Sequence, residues 1–349
     1  MTQIARRFVV ALLFLLVLNP NLLAADSSEN NEPVIDVIGK VVDHDYFEIF
    51  NQKFYLPRIL LVEGSLHFYR NTQTAIESGD FQRVDGAMVR ADGATVSIDF
   101  SITSHLLYVW FGMILTLFIT FWAALKYKKG TGSETEPKGT GQNLFEVFFV
   151  FIRDDIAKEY IPDNKHTKFI SYLFSVFMAI AFMNLFGLLP WGVSATADLT
   201  VTATLAAITF FITQYNGSKD HWEHVFMFPG VHPLMRIILT PVEILGLFTK
   251  PFALAIRLFA NMLSGKIMII CILGLIFIFA DIFGPMAGVG SGVVWVALTA
   301  VLYILKAFIA LLQAYIFTLL SAVFIGMAVE EHHHHDHESS VTTTRDVQV

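Results

Sequence analysis

Apolar residues in this chain are gathered into long runs rather than scattered at core spacing. One run covers about His105–Leu125, a second Phe169–Leu189 and a shorter third Leu199–Thr213. Two longer runs cover Ile237–Phe283 and Val293–Val329. A bilayer core needs about 20 apolar residues of helix, so the pattern predicts an all-α polytopic membrane protein with about five crossings. The fourth run would be about 70 Å long as a helix, more than twice the hydrocarbon thickness. It therefore has to tilt, break or protrude, and Pro241 and Pro251 are the expected bends. The Gly/Pro-rich stretch Gly284–Gly292 is the expected turn between the last two helices, which are long and tilted.

Leu144–Ile161 has a different pattern. Phe145, Phe148, Phe149, Ile152, Ile156 and Tyr160 recur at helical spacing, with Glu146, Arg153, Asp154, Lys158 and Glu159 around the rest. This predicts an amphipathic helix, either in the plane of the membrane interface or packed on another subunit. Residues 26–103 alternate apolar and polar positions, as in Ala94–Phe100, and carry Asp-Gly pairs at 85–86 and 92–93. Short strands are expected there, in a small extracytoplasmic segment whose function its residues do not disclose.

Residues 1–25 read as a signal peptide: Arg6 and Arg7, an apolar stretch Phe8–Leu18 too short to span, then Ala24 and Ala25. An uncleaved anchor is the alternative. Lys126, Lys128 and Lys129 close the first span, and basic flanks favour the cytoplasmic side. The expected topology is amino terminus periplasmic and carboxyl terminus cytoplasmic, in a bacterial inner membrane. Residues 104–329 form the membrane domain, and 330–349 a flexible His-rich tail. The loop Tyr215–Arg236 holds Lys219, His221, His224, His232 and Arg236 and is placed inside.

Composition agrees with this picture: 55% of residues are hydrophobic and only 15% charged, against about 25% charged in soluble domains. The net charge is −7, with no basic stripe to suggest nucleic acid. The single cysteine, Cys271, excludes an intrachain disulfide and reads as a small buried hydrophobe. No metal spacing, nucleophile elbow or phosphate loop appears, so neither a metal nor a cofactor is expected.

The chemistry is expected where charge enters apolar helix, because a mid-helix Arg or Lys costs about 2.5–3.5 kcal/mol even on insertion scales. Glu243, Lys250, Arg257 and Ser264 are spaced by sevens, with Asn261 four after Arg257 and Lys266 nine after it. Thr299, Lys306 and Gln313 repeat the spacing in the last helix. Two long helices, each with one polar seam, point to an ion path between them or against a partner. The bland alternative is charges that snorkel to the interfaces, strongest for Lys250 and Lys266 and weakest for Arg257.

The segment Lys250-Pro-Phe-Ala-Leu-Ala-Ile-Arg-Leu-Phe-Ala-Asn-Met262 resembles the signature of subunit a of F-type ATP synthases, with Arg257 on that family's essential arginine. Asn184–Pro190, Ala197–Thr202 and Leu312–Phe317 resemble further segments of the same family. The resemblance implies a non-catalytic stator subunit that forms two aqueous half-channels against a ring of small c subunits. It also implies peripheral-stalk b subunits, the F1 catalytic sector, lipid and protons as partners. It places Arg257, Glu243, Asn261 and Gln313 in proton translocation, with Lys250, Ser264, Lys266 and Lys306 lining the half-channels. The family often has an acid and a histidine where this chain has Lys266 and Lys306. A stand-alone secondary transporter or ion channel is the competing reading.

Overall fold

The computed structural model describes residues 46–49, 52–62, 65–84, 87–90, 98–129, 139–189, 192–227 and 232–330. The proposed signal, the His-rich tail, Pro190-Trp191 and both Asp-Gly pairs lie outside the described residues. Seven short strands and eight helices follow in chain order among those described.

The strands are β1 (Tyr46–Ile49), β2 (Gln52–Tyr55), β3 (Arg58–Val62), β4 (Ser65–Tyr69), β5 (Phe81–Val84), β6 (Ala87–Arg90) and β7 (Ile98–Asp99). β1–β2 and β5–β6 are antiparallel hairpins, and β4-β3-β7 form an antiparallel sheet. A six-residue helix α1 (Thr72–Glu77) sits between β4 and β5, capped by Asn71, which accepts from the Thr74 N–H at 2.6 Å. Leu60, Val62, Ala75 and Phe81 make a small core here, with Tyr69 packed against it. The expectation of short strands ahead of the membrane domain is met.

In the membrane domain every backbone group must be satisfied within the segment, which leaves helices as the solution for these runs. α2 (Ser104–Lys128) begins at the Thr103 cap. α3 (Thr140–Phe151) continues through a π-helical turn (Ile152–Ala157) and a last short turn (Lys158–Tyr160). α4 (His166–Gly187) is followed by α5 (Leu199–Tyr215), α6 (Lys219–Met227), α7 (Pro233–Phe283) and α8 (Pro285–Val329). α2, α4, α7 and α8 are long and apolar enough to cross a membrane, and α7 and α8 are the longest at 51 and 45 residues. The fifth expected crossing, α5, has 17 residues. Its Thr204, Thr209 and Thr213 hydroxyls donate to carbonyls four residues back, which hides their polarity.

Three expectations change, at residues 285–292, in the Tyr215–Arg236 loop and at Cys271. Residues 285–292 are not a loop: Pro285 is tolerated at the first helical position, so α8 starts directly after Gly284 (φ 92°). α7 runs as one continuous helix through Pro241 and Pro251, so of the three options it does not break. The Tyr215–Arg236 loop contains α6, started by Ser218, whose Oγ accepts from the His221 N–H at 3.1 Å. Cys271 is exposed rather than buried, because no other described helix covers that side of α7.

The apolar side of α3 packs on the chain's own helices. Phe145 meets Phe174 at 5.1 Å between ring centroids, Phe148 meets Phe177 at 5.6 Å, and Phe151 meets Tyr315 at 5.6 Å. Ile152, Ile156 and Ala157 are fully buried in the same cluster, whereas Tyr160 is exposed. The core therefore lies where α2, α3, α4 and the second half of α8 meet, and α7 packs along α8 and α5.

Candidate functional site

α7 and α8 lie side by side as a hairpin, and their polar residues meet within it. Asn261 Nδ2 donates to Gln313 Oε1 at 2.7 Å. Lys306 Nζ donates to the Asn261 carbonyl at 3.4 Å. The Lys306 stem lies across Gly265, where an added Cβ would stand 2.5 Å from Nζ. Gln313 is buried, and its Nε2 has no hydrogen-bond partner. Thr299 is also buried and returns its hydroxyl to the Trp295 carbonyl at 2.8 Å. The α8 seam of Thr299, Lys306 and Gln313 thus faces α7.

The α7 seam divides. Arg257 and Ser264 are exposed, whereas Glu243, Lys250, Asn261 and Lys266 are half-buried. A seven-residue spacing drifts by about 20° per repeat on a straight helix, so Glu243 and Ser264 differ by about 60° around α7. Arg257 makes no hydrogen bond or ion pair with any described residue. Ala253, Ile256, Ala260 and Ser264 are exposed beside it. The small ones, Ala253, Ala260 and Ser264, let a neighbouring helix approach closely.

Lys250 turns towards a cavity of ≈ 30 Å³ between α5, α6, α7 and α8, lined in part by Thr209, Thr213, Gln214 and His221. Its ammonium sits 5.8 Å from the Phe324 ring centroid. His221 Nε2 lies 3.3 Å from Gln214 Oε1. Burial holds the His221 pKa below its ordinary value; the Lys250 and His224 charges add to this and the Glu243 carboxylate opposes it. Lys266 has no hydrogen-bonded partner among the described residues, and no carboxylate stands against it or against Lys306.

Sequence reasoning passed over two groups. Asn184 is fully buried, donates to the Ala310 carbonyl at 3.0 Å and accepts from Thr196 Oγ1 at 2.7 Å. It ties α4 and the turn before α5 to the middle of α8, three residues before Gln313. An asparagine in an otherwise apolar helix was the available signal. His221 is the second; the sequence placed it only among the bases of an inside loop.

The fold and this site define a polytopic helical membrane protein whose two longest helices share an amide pair and present outward an arginine without a partner among the described residues. The profile of the family described as ATP synthase A chain matches residues 106–326. The chain is 45% identical over 240 residues to "ATP synthase subunit a" of Chloroherpeton thalassium, covering 67% of this chain and 69% of that protein. It is 42% identical over 235 residues to "ATP synthase subunit a 2" of Chlorobaculum tepidum (66% and 64%), and 40% over 242 residues to "ATP synthase subunit a" of Myxococcus xanthus (66% and 74%). This chain belongs to the ATP synthase A chain family.

Proposed function

We propose that the chain is the proton-translocating stator subunit of the membrane sector of an F-type ATP synthase, non-catalytic in itself. A ring of c subunits, each with one membrane carboxylate, runs past the exposed stripe of Ala253, Arg257, Ala260 and Ser264. The observation that carries this reading is Arg257, an exposed guanidinium on an apolar helix with no counter-charge against it among the described residues. A charge in hydrocarbon needs an anion or water, and a passing ring carboxylate supplies the anion.

Arginine suits the role because it keeps its proton, whereas a desolvated lysine can lose it. It holds the ring carboxylate ionised between two half-channels and bars a direct leak. Each charge that crosses releases about 2.3 kcal/mol per 100 mV, so a leak dissipates the work of rotation. The Glu243–Lys250–His221 end of α7 forms one half-channel. The other holds Asn261, Gln313, Lys306 and Lys266. The amino terminus is periplasmic and the tail cytoplasmic, α3 lies along the cytoplasmic surface, and b subunits and F1 complete the complex. No observation favours a stand-alone transporter.

The test is Arg257→Ala in membrane vesicles, with assembly checked on gels. The expected result is an assembled complex that makes no ATP from a proton gradient and leaks protons passively. Normal synthesis by an assembled Arg257→Ala complex would end the assignment.

A further inference from the structure

We propose that the β-rich unit ahead of the membrane domain lies on the bilayer surface, with one face of the β4-β3-β7 sheet seated in the lipid headgroup region. The reading does not depend on the ATP synthase assignment. Strand register divides the sheet into two unlike faces. Arg58 pairs with Tyr69, and Leu60 pairs with both His67 and Asp99. This face carries both formal charges of the three strands, Arg58 and Asp99, joined at 2.9 Å. It is closed over the small core of Leu60, Val62, Ala75 and Phe81.

The opposite face has no charge. Ile59 stands opposite Phe68 and Leu61 opposite Leu66. Phe100, whose N–H donates to the Ile59 carbonyl at 2.9 Å, extends the row across the third strand. Leu66, Phe68 and Phe100 are 68%, 69% and 56% exposed. Proteins in water rarely leave a contiguous apolar patch without a partner, and here no described element covers it.

The chain itself indicates the occupant. Phe100, directly after β7, leads towards α2 through a backbone held by hydrogen bonds. Ser101 Oγ accepts from the Ile59 N–H at 3.0 Å, and the Ile102 N–H donates to the Pro57 carbonyl at 3.4 Å. Thr103 then caps α2. Three residues separate Phe100 from Ser104, a reach of at most about 14 Å of extended chain. α2 exposes Phe111, Ile114, Leu117, Phe118 and Phe121 to its surroundings as a span. The apolar sheet face is thus held, without slack, next to the point where the chain enters the bilayer. Interface-seated segments bury Trp, Phe and Leu side chains at the headgroup–acyl boundary, and the face presents Leu66, Phe68 and Phe100.

The experiment uses the purified full chain in lipid nanodiscs, with Cys271→Ser to remove the exposed native thiol. Leu66→Cys, Phe68→Cys and Phe100→Cys are each labelled with a fluorophore. The control is Gln73→Cys, an exposed site on α1 over the opposite face. Lipids carrying a nitroxide just below the headgroup are expected to quench the first three probes at least twofold and to leave the control unchanged. Equal quenching at all four sites, or none at the sheet, overturns the proposal. So does loss of the lipid quenching when the chain is in its assembled complex, which would assign the face to a protein partner.

Discussion

Asn261 donates its side-chain amide to Gln313 at 2.7 Å, joining the two longest helices one turn beyond Arg257. The bond spans 52 residues of sequence and fixes the rotation of α7 against α8. Rotation decides whether the guanidinium faces out or is turned into the pair. The Gln313 amide has no partner among the described residues, so it has a proton donor to offer beyond the bond it accepts.

Breaking that pair should separate position from stability. Interhelical hydrogen bonds in membranes average about 0.6 kcal/mol, so Gln313→Leu should leave the complex assembled. It should nevertheless lower ATP synthesis at least tenfold, because α7 loses its rotational lock and Asn261 its acceptor. Asn261→Leu combined with Gln313→Leu should cost no more activity than the worse single change. Additive losses in vesicle ATP synthesis would mean that the two residues act independently.

The end of α8 is held by a clasp whose parts differ in worth. Lys165 Nζ donates to the Val329 carbonyl at 3.0 Å, and Ser218 reaches Ala328 and Glu330 through its N–H and hydroxyl at 2.8 and 2.9 Å. A cation at a helix C-terminus contributes about 0.3–1 kcal/mol, so Lys165→Met should be mild. Gly326→Ala should be worse, by about 1–3 kcal/mol. Its new methyl would run into the backbone carbonyl of Tyr160, which cannot swing aside. Thermal unfolding midpoints of the detergent-solubilised chain should rank wild type, Lys165→Met and Gly326→Ala in falling order.

His221 gives a pH dependence of defined sign. Its folded pKa lies below the ordinary 6.5, chiefly through burial and then through the Lys250 charge. The unfolded chain therefore binds the proton first as pH falls. The stabilisation is complete above about 6.5 and is lost as pH drops through the folded value. His221→Gln keeps a polar group opposite Gln214 and removes the titration. The unfolding midpoint of the variant should fall less than that of wild type between pH 7.5 and about 5.5. Parallel curves for the two proteins would rule out His221 as the source.

The crossings were legible because a bilayer demands about 20 apolar residues in a row, and little else does. The α8 seam was legible because Thr299, Lys306 and Gln313 keep the period of a helix facing a neighbour. α6 was missed because its residues are polar and its start depends on a single serine. The burial of Cys271 was overestimated because an apolar run records that a residue avoids water, not whether lipid or protein covers it. The division of the α7 seam follows from a drift that sequence spacing conceals over three repeats. The bonds Asn184–Ala310 and Asn261–Gln313 join residues far apart in the chain, and no local pattern encodes such a partner.

Gly265 offers the cleanest probe of Lys306. The Lys306 side chain crosses Gly265 to reach the Asn261 carbonyl, and a methyl there would stand 2.5, 2.7 and 2.9 Å from its Nζ, Cε and Cδ atoms. Those atoms are the far end of a flexible chain, so Gly265→Ala should displace the ammonium rather than unfold the hairpin. Helix propensity favours the change by about 1 kcal/mol, which makes lost stability a poor explanation for lost activity. If Lys306 holds a charge at a set place in the half-channel, Gly265→Ala should assemble fully and lower proton-driven ATP synthesis several-fold. Lys306→Gln should lower it comparably, and adding Gly265→Ala to Lys306→Gln should change nothing further, because the displaced group is already gone. Lys266→Gln, which removes a lysine without a hydrogen-bonded partner, should be milder than either. Full synthesis by Gly265→Ala with a normal proton conductance would show that the position of Lys306 is irrelevant to the path.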